Sequence, residues 1–179
     1  LGVAFTVPSG FILDNTTDAV LATAPDGTAL RFDGANLPVG TALADYIASG
    51  WVNGLDRNSI KSFSVNGLEA ASARAEAKGW VFRIAVIRVG PSATYRFIFA
   101  NETDTPGLEQ STNETVQSFR KLSPQEAAAL KPLRVQLVTV KSGDTVDSLA
   151  RRMNGVDRPG DLFRVLNDIK GNALPPAGD

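Results

Sequence analysis

Neither histidine nor cysteine occurs anywhere in the 179 residues. Without histidine there is no imidazole to act as a general base near neutral pH, and no Ser-His or Cys-His pair can form. Without either residue, the usual nitrogen and sulfur ligands of zinc and iron–sulfur sites are missing. No disulfide can staple the fold, and a chain without cysteine does not report its redox compartment. Long apolar runs are lacking too: none approaches the roughly 18 residues that span a bilayer. Nor does one sign of charge dominate. The 18 Lys and Arg nearly balance the 19 Asp and Glu, for a net charge of −1, and the two signs are mixed along the chain. No large basic patch is expected, so neither a nucleic-acid partner nor membrane insertion is expected.

What is present suffices for a core. Hydrophobic residues make up 43% and charged residues 21%, which at this length suits one domain plus a small second one. The chain opens at Leu1 without a methionine and without a basic stretch leading into an apolar one. It therefore reads as a processed or partial piece of a longer protein.

Residues 1–123 read as one α+β domain, an antiparallel sheet with helices packed on it. Residues 4–8 form a strand ended by Pro8, and Phe11, Ile12 and Leu13 begin the next. Residues 20–24 and 29–32 flank the turn Pro25-Asp26-Gly27 as a hairpin. Thr41 is placed to cap a helix over 41–55, with Leu43, Ile47, Trp51 and Leu55 on one face. Residues 59–65, 69–77, 80–89 and 94–100 read as a meander with turns at Asn66-Gly67 and Lys78-Gly79. A closing helix over 108–122 buries Val116, Phe119 and Leu122, and both helices are expected to cover one face of the sheet. Ser123 and Glu126 frame a capping box with Pro124 in the first turn, so residues 124–131 should form a short helix ended by Pro132. The expected division is 1–123, a connector over 124–134, and a small unit over 135–179.

Catalytic patterns do not assemble. Ser118 and Lys121 have SxxK spacing and Ser64-Val65-Asn66 mimics SxN, but their order is reversed and no KTG exists. Asp14, Asp18, Asp26 and Asp33 lack the spacing and closing glutamate of a calcium loop and are read as turn residues. Trp51 and Trp80 fall on apolar faces and are read as core. No catalytic residue, metal ligand or cofactor is expected from this chain.

Residues 138–174 carry the most information. Val138 and Val140 read as a short strand running into the turn Lys141-Ser142-Gly143-Asp144. Thr145 is placed to cap a helix with Val146, Leu149, Ala150 and Met153 on one face. A second helix turns Leu162, Phe163, Leu166 and Ile169 inward, with Asn167 near its end. Thr139, Val140, Gly143, Asp144, Thr145, Leu149, Ala150, Leu166, Asn167 and Leu174 together resemble a LysM module. That small βααβ domain is often used to hold N-acetylglucosamine polymers such as peptidoglycan. The resemblance implies a shallow groove with Ser142, Gly143, Asp144 and Thr145 on one side. Asn167, Asp168, Ile169, Lys170 and Gly171 would form the other, and backbone amides would bond acetamido groups. The stretch Leu174-Pro175-Pro176-Ala177-Gly178-Asp179 reaches the turn toward the closing strand, and Phe163 is the segment's only aromatic. A LysM-like fold used for packing or for binding protein is the alternative.

Upstream, Tyr95, Phe97 and Phe99 on one strand, then a loop and a helix ending Ser118-Phe119-Arg120-Lys121-Leu122, resemble the PsbP-like fold. The order of the two modules resembles the tail of periplasmic zinc metalloproteases of alphaproteobacteria, relatives of BepA and of the CAAX prenyl protease. The residues concerned are Phe5-Thr6-Val7-Pro8-Ser9-Gly10-Phe11, Ser49-Gly50-Trp51-Val52-Asn53-Gly54-Leu55, Trp80-Val81-Phe82-Arg83 and Tyr95-Arg96-Phe97-Ile98-Phe99-Ala100. In such proteins an HExxH catalytic domain lies upstream, and no zinc ligand carries over to this chain. The resemblances imply a non-catalytic accessory region of the periplasm or cell envelope that binds peptidoglycan weakly. The alternative they leave is a region contacting the protease's own catalytic domain or a protein substrate, without glycan.

Overall fold

The computed structural model describes residues 2–130, 135–171 and 173. By its internal contacts the chain divides into two units, Leu1–Ala127 and Ala128–Asp179. The first begins with β1 (Val3–Ala4), β2 (Ile12–Asn15), β3 (Ala19–Thr23), β4 (Ala29–Asn36) and α1 (Leu43–Ala48). It continues with β5 (Leu55–Val65), β6 (Leu68–Ala77), β7 (Trp80–Arg88), β8 (Ala93–Asn101), α2 (Pro106–Ser118) and β9 (Arg120–Lys121). Among the described residues, seven strands form one antiparallel sheet in the order β2-β3-β4-β8-β7-β6-β5, and β1 pairs apart with β9. The fold is thus α+β, an antiparallel sheet with helices packed on it.

Local turn chemistry explains most of the register. Asn66 and Gly67 (φ 48° and 79°) and Lys78 and Gly79 (φ 53° and 79°) reverse the chain with both central residues left-handed. That conformation matches the twist of the flanking strands. At the β3–β4 turn, Asp26 accepts the Thr28 amide at 2.9 Å while the Ala24 amide donates to the Thr28 carbonyl at 2.8 Å. The long-range closure is β4 on β8, with Leu30 opposite Phe99 and Phe32 opposite Phe97.

The two helices lie on opposite faces of the sheet, which corrects the expectation that both cover one. Leu43 and Ile47 of α1 pack with Ala71, Ala73, Ala75, Ile84 and Val86. Leu108 and Val116 of α2 pack with Ala70, Ala85, Ile87, Phe97 and Phe99. Alternate residues of β6 and β7 point to opposite faces, so both faces of these central strands are covered. Residues 83–87 are consequently buried without a break, a pattern that hides strand alternation. Phe97, Phe99 and Phe119 are fully buried, and a side chain of this size stabilises by about 1.5–3 kcal/mol.

Other boundaries also shift. The first helix runs Leu43–Ala48, not 41–55, and its N-cap is Ala42 with no side-chain bond, not Thr41. Gly50, at φ 100°, ends it, and Leu55 opens β5 instead. The closing helix runs Pro106–Ser118, capped by the Thr105 hydroxyl at the Leu108 amide, 3.2 Å. Beyond it Phe119 is extended, and Arg120 and Lys121 pair with Ala4 and Val3. The expected strand over 4–8 shrinks to Val3–Ala4, continued by a strap. Its Thr6 amide donates to Ser118 Oγ at 2.9 Å, and Phe5 sits 4.5 Å from Phe32 and 5.1 Å from Phe97, between ring centroids. Asp33, read as a turn residue, is instead buried within β4.

A short helix, α3 (Pro124–Ala129), follows β9. Ser123 and Glu126 exchange bonds there, Ser123 N to Glu126 Oε2 at 2.8 Å and Glu126 N to Ser123 Oγ at 3.1 Å, as the capping box implied. Lys131 and Pro132 lie outside the described residues.

The second unit contains α4 (Val146–Ala150) and α5 (Pro159–Leu166), which pack on each other. Val146, Leu149 and Ala150 are buried. Leu162, Phe163 and Ile169 are half-buried, whereas Leu166, expected inward, is exposed. Val138 and Val140 do not form the expected strand, since residues 135–140 carry no ladder pairing and Val135 and Leu137 are 84% and 94% exposed. A strand needs a neighbour to close its hydrogen bonds. The turn expected to lead to one, residues 174–179, lies outside the described residues.

Candidate functional site

The first of the two loops is built by its own hydrogen bonds. Gly143, at φ 88°, lets the chain turn. Asp144 then closes the turn twice: its amide donates to the Lys141 carbonyl at 3.0 Å, and its Oδ2 accepts the Lys141 amide at 2.9 Å. Arg152 reaches its other oxygen at 3.0 Å. Thr145 caps α4 as the sequence indicated. Its Oγ1 accepts the Ser148 amide at 3.1 Å, and the Ser148 hydroxyl accepts the Thr145 amide at 2.9 Å. Ser142, Gly143 and Thr145 are exposed.

The second loop follows α5. Asn167 turns its amide back, Nδ2 donating to the Phe163 carbonyl at 2.8 Å. Asp168 is left-handed at φ 50°, the Ile169 amide donates to the Arg164 carbonyl at 2.9 Å, and Gly171 lies at φ 83°. Asn167, Asp168, Lys170 and Gly171 are exposed and Ile169 is half-buried.

Sequence reasoning missed the residue that joins the second loop to α4. Arg164 donates Nε to the Gly171 carbonyl at 2.9 Å, and its Nη2 lies 3.8 Å from Asp147, two residues beyond the Thr145 cap. One guanidinium thereby brings the end of the second loop beside the first turn of α4. The signal was available as an arginine in the last turn of a helix whose other charged residue, Asp161, lies in its first turn. A cleft of this unit lies elsewhere: about 330 Å³ lined by Asp147, Ala150, Arg151, Pro159 and Gly160, none of the nine groove residues.

A second concavity, about 310 Å³, lies in the first unit and is lined by Gly54, Asp56, Arg74, Glu76, Arg83 and Asp104 among others. Arg83, 5% exposed, donates Nε to Glu109 at 2.7 Å and contacts Asp104 through Nη2. Arg74 reaches the same Glu109 oxygen at 3.3 Å. The hydrogen bond from Arg83, assisted by the charges of Arg74 and Arg83 against the cost of burial, holds the Glu109 carboxyl below the usual carboxylate range. Arginines and acids here neutralise each other, as in a structural ion network, and no serine or threonine lines the cleft.

The serine of the SxxK spacing is similarly occupied. Ser118 Oγ accepts the Thr6 amide and lies 2.7 Å from the Thr115 carbonyl. Asn66, the SxN asparagine, caps α2. Of the tryptophans read as core, Trp51 is half-buried and Trp80 is exposed at 37%. Trp51 stacks on Tyr46 at 5.2 Å between centroids and donates Nε1 to the Tyr46 carbonyl at 2.8 Å. Among the described residues, no cluster of three or more carboxylates is arranged to hold a metal ion, and no helix is long and apolar enough to cross a membrane.

No protein-family profile and no curated protein matches this chain. Among the solved structures that match this chain are the following two. One is a protein of Bacteroides thetaiotaomicron VPI-5482, 10% identical with a TM-score of 0.48, matched over 70% of this chain and 47% of that one. The chain thus spans about half the length of that protein. The other is the solution structure of cyanobacterial PsbP (CyanoP) from Synechocystis sp. PCC 6803, 15% identical with a TM-score of 0.47, matched over 67% of this chain and 86% of that one.

Proposed function

We propose that this chain is a non-catalytic binding region of a cell-envelope protein, the tail of a periplasmic zinc metalloprotease. Its second unit would hold N-acetylglucosamine polymers such as peptidoglycan weakly through the loops 142–145 and 167–171. The observation that carries this reading is the juxtaposition made by Arg164, which ties the Gly171 loop to the first turn of α4 beside the capped Gly143-Asp144-Thr145 turn. Weakness follows from the same geometry. Asp144, Thr145 and Asn167 spend side-chain polarity on internal bonds, leaving backbone groups and the side chains of Ser142, Asp168 and Lys170 to meet the sugar. Each such bond gains only about 0.5–1.5 kcal/mol net of water. A single unit should therefore bind at roughly high micromolar to millimolar concentration, about −4 to −6 kcal/mol.

Amide NMR shifts during titration with chito-oligosaccharide and with muropeptide test this directly. Shifts confined to the two loops are expected. Their absence at millimolar ligand in the longer natural chain ends the glycan reading. The longer reading frame tests the tail reading: an upstream HExxH supports it, and a signal peptide joined directly to Leu1 removes it.

A second reading, a region acting on the protease domain or its protein substrates, rests on β2. This strand lies at the edge of the sheet with Ile12 75% and Leu13 52% exposed, and an exposed apolar edge is a template for a partner strand. Shifts in β2 on adding the upstream protein domain, with none on adding glycan, would favour it.

A further inference from the structure

The turn between β5 and β6 carries a labile chemical group in a structural role. Asn66 Nδ2 donates to the carbonyls of Gln117 at 3.0 Å and Phe119 at 2.9 Å, so the hairpin caps the C-terminal end of α2. We propose that Asn66 is a deamidation site gated by this docking, and that its conversion releases the hairpin from α2 irreversibly.

The reaction needs only water. In an Asn-Gly pair the glycine nitrogen can attack the asparagine side-chain carbonyl carbon, because no Cβ obstructs the approach. The nitrogen gives up its proton, a C–N bond closes a succinimide ring, and Nδ2 leaves as ammonia. Water then opens the ring at either carbonyl. The sum is asparagine plus water giving aspartate or isoaspartate plus ammonia.

Three Asn-Gly pairs occur, at Asn53-Gly54, Asn66-Gly67 and Asn154-Gly155. All three asparagines are exposed, so exposure does not rank them. Hydrogen bonding does. Asn66 has its leaving nitrogen bound twice and its backbone left-handed at φ 48°, whereas Asn53 and Asn154 make no side-chain hydrogen bond among the described residues. Ring closure at Asn66 requires both bonds to break and the turn to open, so its rate should follow local opening.

After conversion the docking cannot reform. A carboxylate only accepts hydrogen bonds, and it would face two carbonyl oxygens that also only accept. It would do so at the negative end of a helix, where an added anion is unfavourable. Isoaspartate further lengthens the backbone of a two-residue turn.

The natural chain, incubated at mildly alkaline pH with and without urea and then digested, reports all three sites by peptide mass spectrometry. Isoaspartate methylation gives a second readout. Asn66 should convert at least about tenfold more slowly in the folded chain than in urea, with smaller ratios at Asn53 and Asn154. Equal rates at Asn66 in both conditions overturn the gating. Asn66→Asp should lower the urea midpoint and speed amide exchange at Phe119 and Arg120 beyond what Asn66→Gly does, since glycine keeps the turn and removes only the cap. An unchanged midpoint and exchange rate in Asn66→Asp overturn the release. If that variant fails to fold, the folded-to-urea ratio at Asn66 in the natural chain still decides the gating.

Discussion

Asp33 on β4 and Arg96 on β8 stand directly opposite each other and are joined twice, Nε to Oδ1 at 2.7 Å and Nη2 to Oδ2 at 2.9 Å. The Asp33 side chain is 4% exposed, and Arg31 adds a third bond at 2.8 Å. Arg96 also donates Nη1 to the Tyr46 hydroxyl at 3.0 Å and lies 5.1 Å above the Trp51 ring. The hydrogen bond with Asp33 is the main cause that raises the Arg96 pKa above its ordinary value. This one guanidinium fastens α1 to the seam where β4 meets β8.

Asp33→Ala should therefore cost about 3 kcal/mol, because it strands a partly buried arginine without its acid. Arg31, half in water, limits the loss. Urea unfolding followed by circular dichroism measures it, and a loss below about 1 kcal/mol would contradict the buried-pair assignment.

The tryptophans should behave unequally. Trp51→Ala removes a stacked, half-buried ring and should cost about 2–3 kcal/mol, below the full cost of a core aromatic. Trp80→Ala, at a more exposed strand end, should cost under about 1 kcal/mol. Thermal melts of both variants compare them in one experiment, and equal losses would refute the burial difference.

Two glycines of positive φ make a matched pair. A Cβ at Gly54 would lie 1.8 Å from the Glu76 carbonyl oxygen, whereas one at Gly67 meets nothing within 4 Å. Gly67→Ala should cost only the left-handed penalty of about 1–2 kcal/mol. Gly54→Ala must also displace backbone of β6 and should cost distinctly more. Denaturant midpoints with similar losses at both positions would count against the close approach.

Glu126 should titrate far below other glutamates. Hydrogen bonds from Arg120, then from the Ser123 amide and hydroxyl, hold its carboxyl down to about 2. With the folded pKa below the unfolded one, the capping box stabilises α3 above the ordinary carboxylate range and loses that contribution as pH falls toward about 2. Carboxyl-carbon NMR titration should show the Glu126 midpoint rising in Arg120→Ala. An unmoved midpoint would assign the depression to the cap alone.

The parts of the fold legible from sequence were those written in local chemistry. Asn66-Gly67, Lys78-Gly79 and the Ser123–Glu126 box each fix their own geometry within a few residues. What escaped was decided at a distance. The spacing of Leu43, Ile47 and Trp51 extends smoothly past Gly50, but the helix stops there, and Trp51 is held by a bond to the Tyr46 carbonyl instead. Burial of residues 83–87 on both faces erased the alternation that would have separated the helices. Phe119 reads as a last helical turn only until β1 claims Arg120 and Lys121. In the second unit, Gly143, Asp144 and Thr145 were legible as turn and cap, while the link through Arg164 depends on which carbonyl folds back to meet it.

The strap formed by the amino end has a consequence during synthesis. Thr6 and Ser118 are 112 residues apart in sequence, so a chain emerging amino end first displays Phe5 long before its anchor exists. Until Ser118 emerges, the strap that carries Phe5 onto Phe32 and Phe97 lacks that anchor, and exposed aromatic surface of this kind invites aggregation or chaperone capture. The strap's anchors, Ser118 and the β9 residues Arg120 and Lys121, are thus among the last parts of the first unit to be synthesised. A translation product cut short before Ser118 lacks that anchor for Phe5 however well its hairpins have formed.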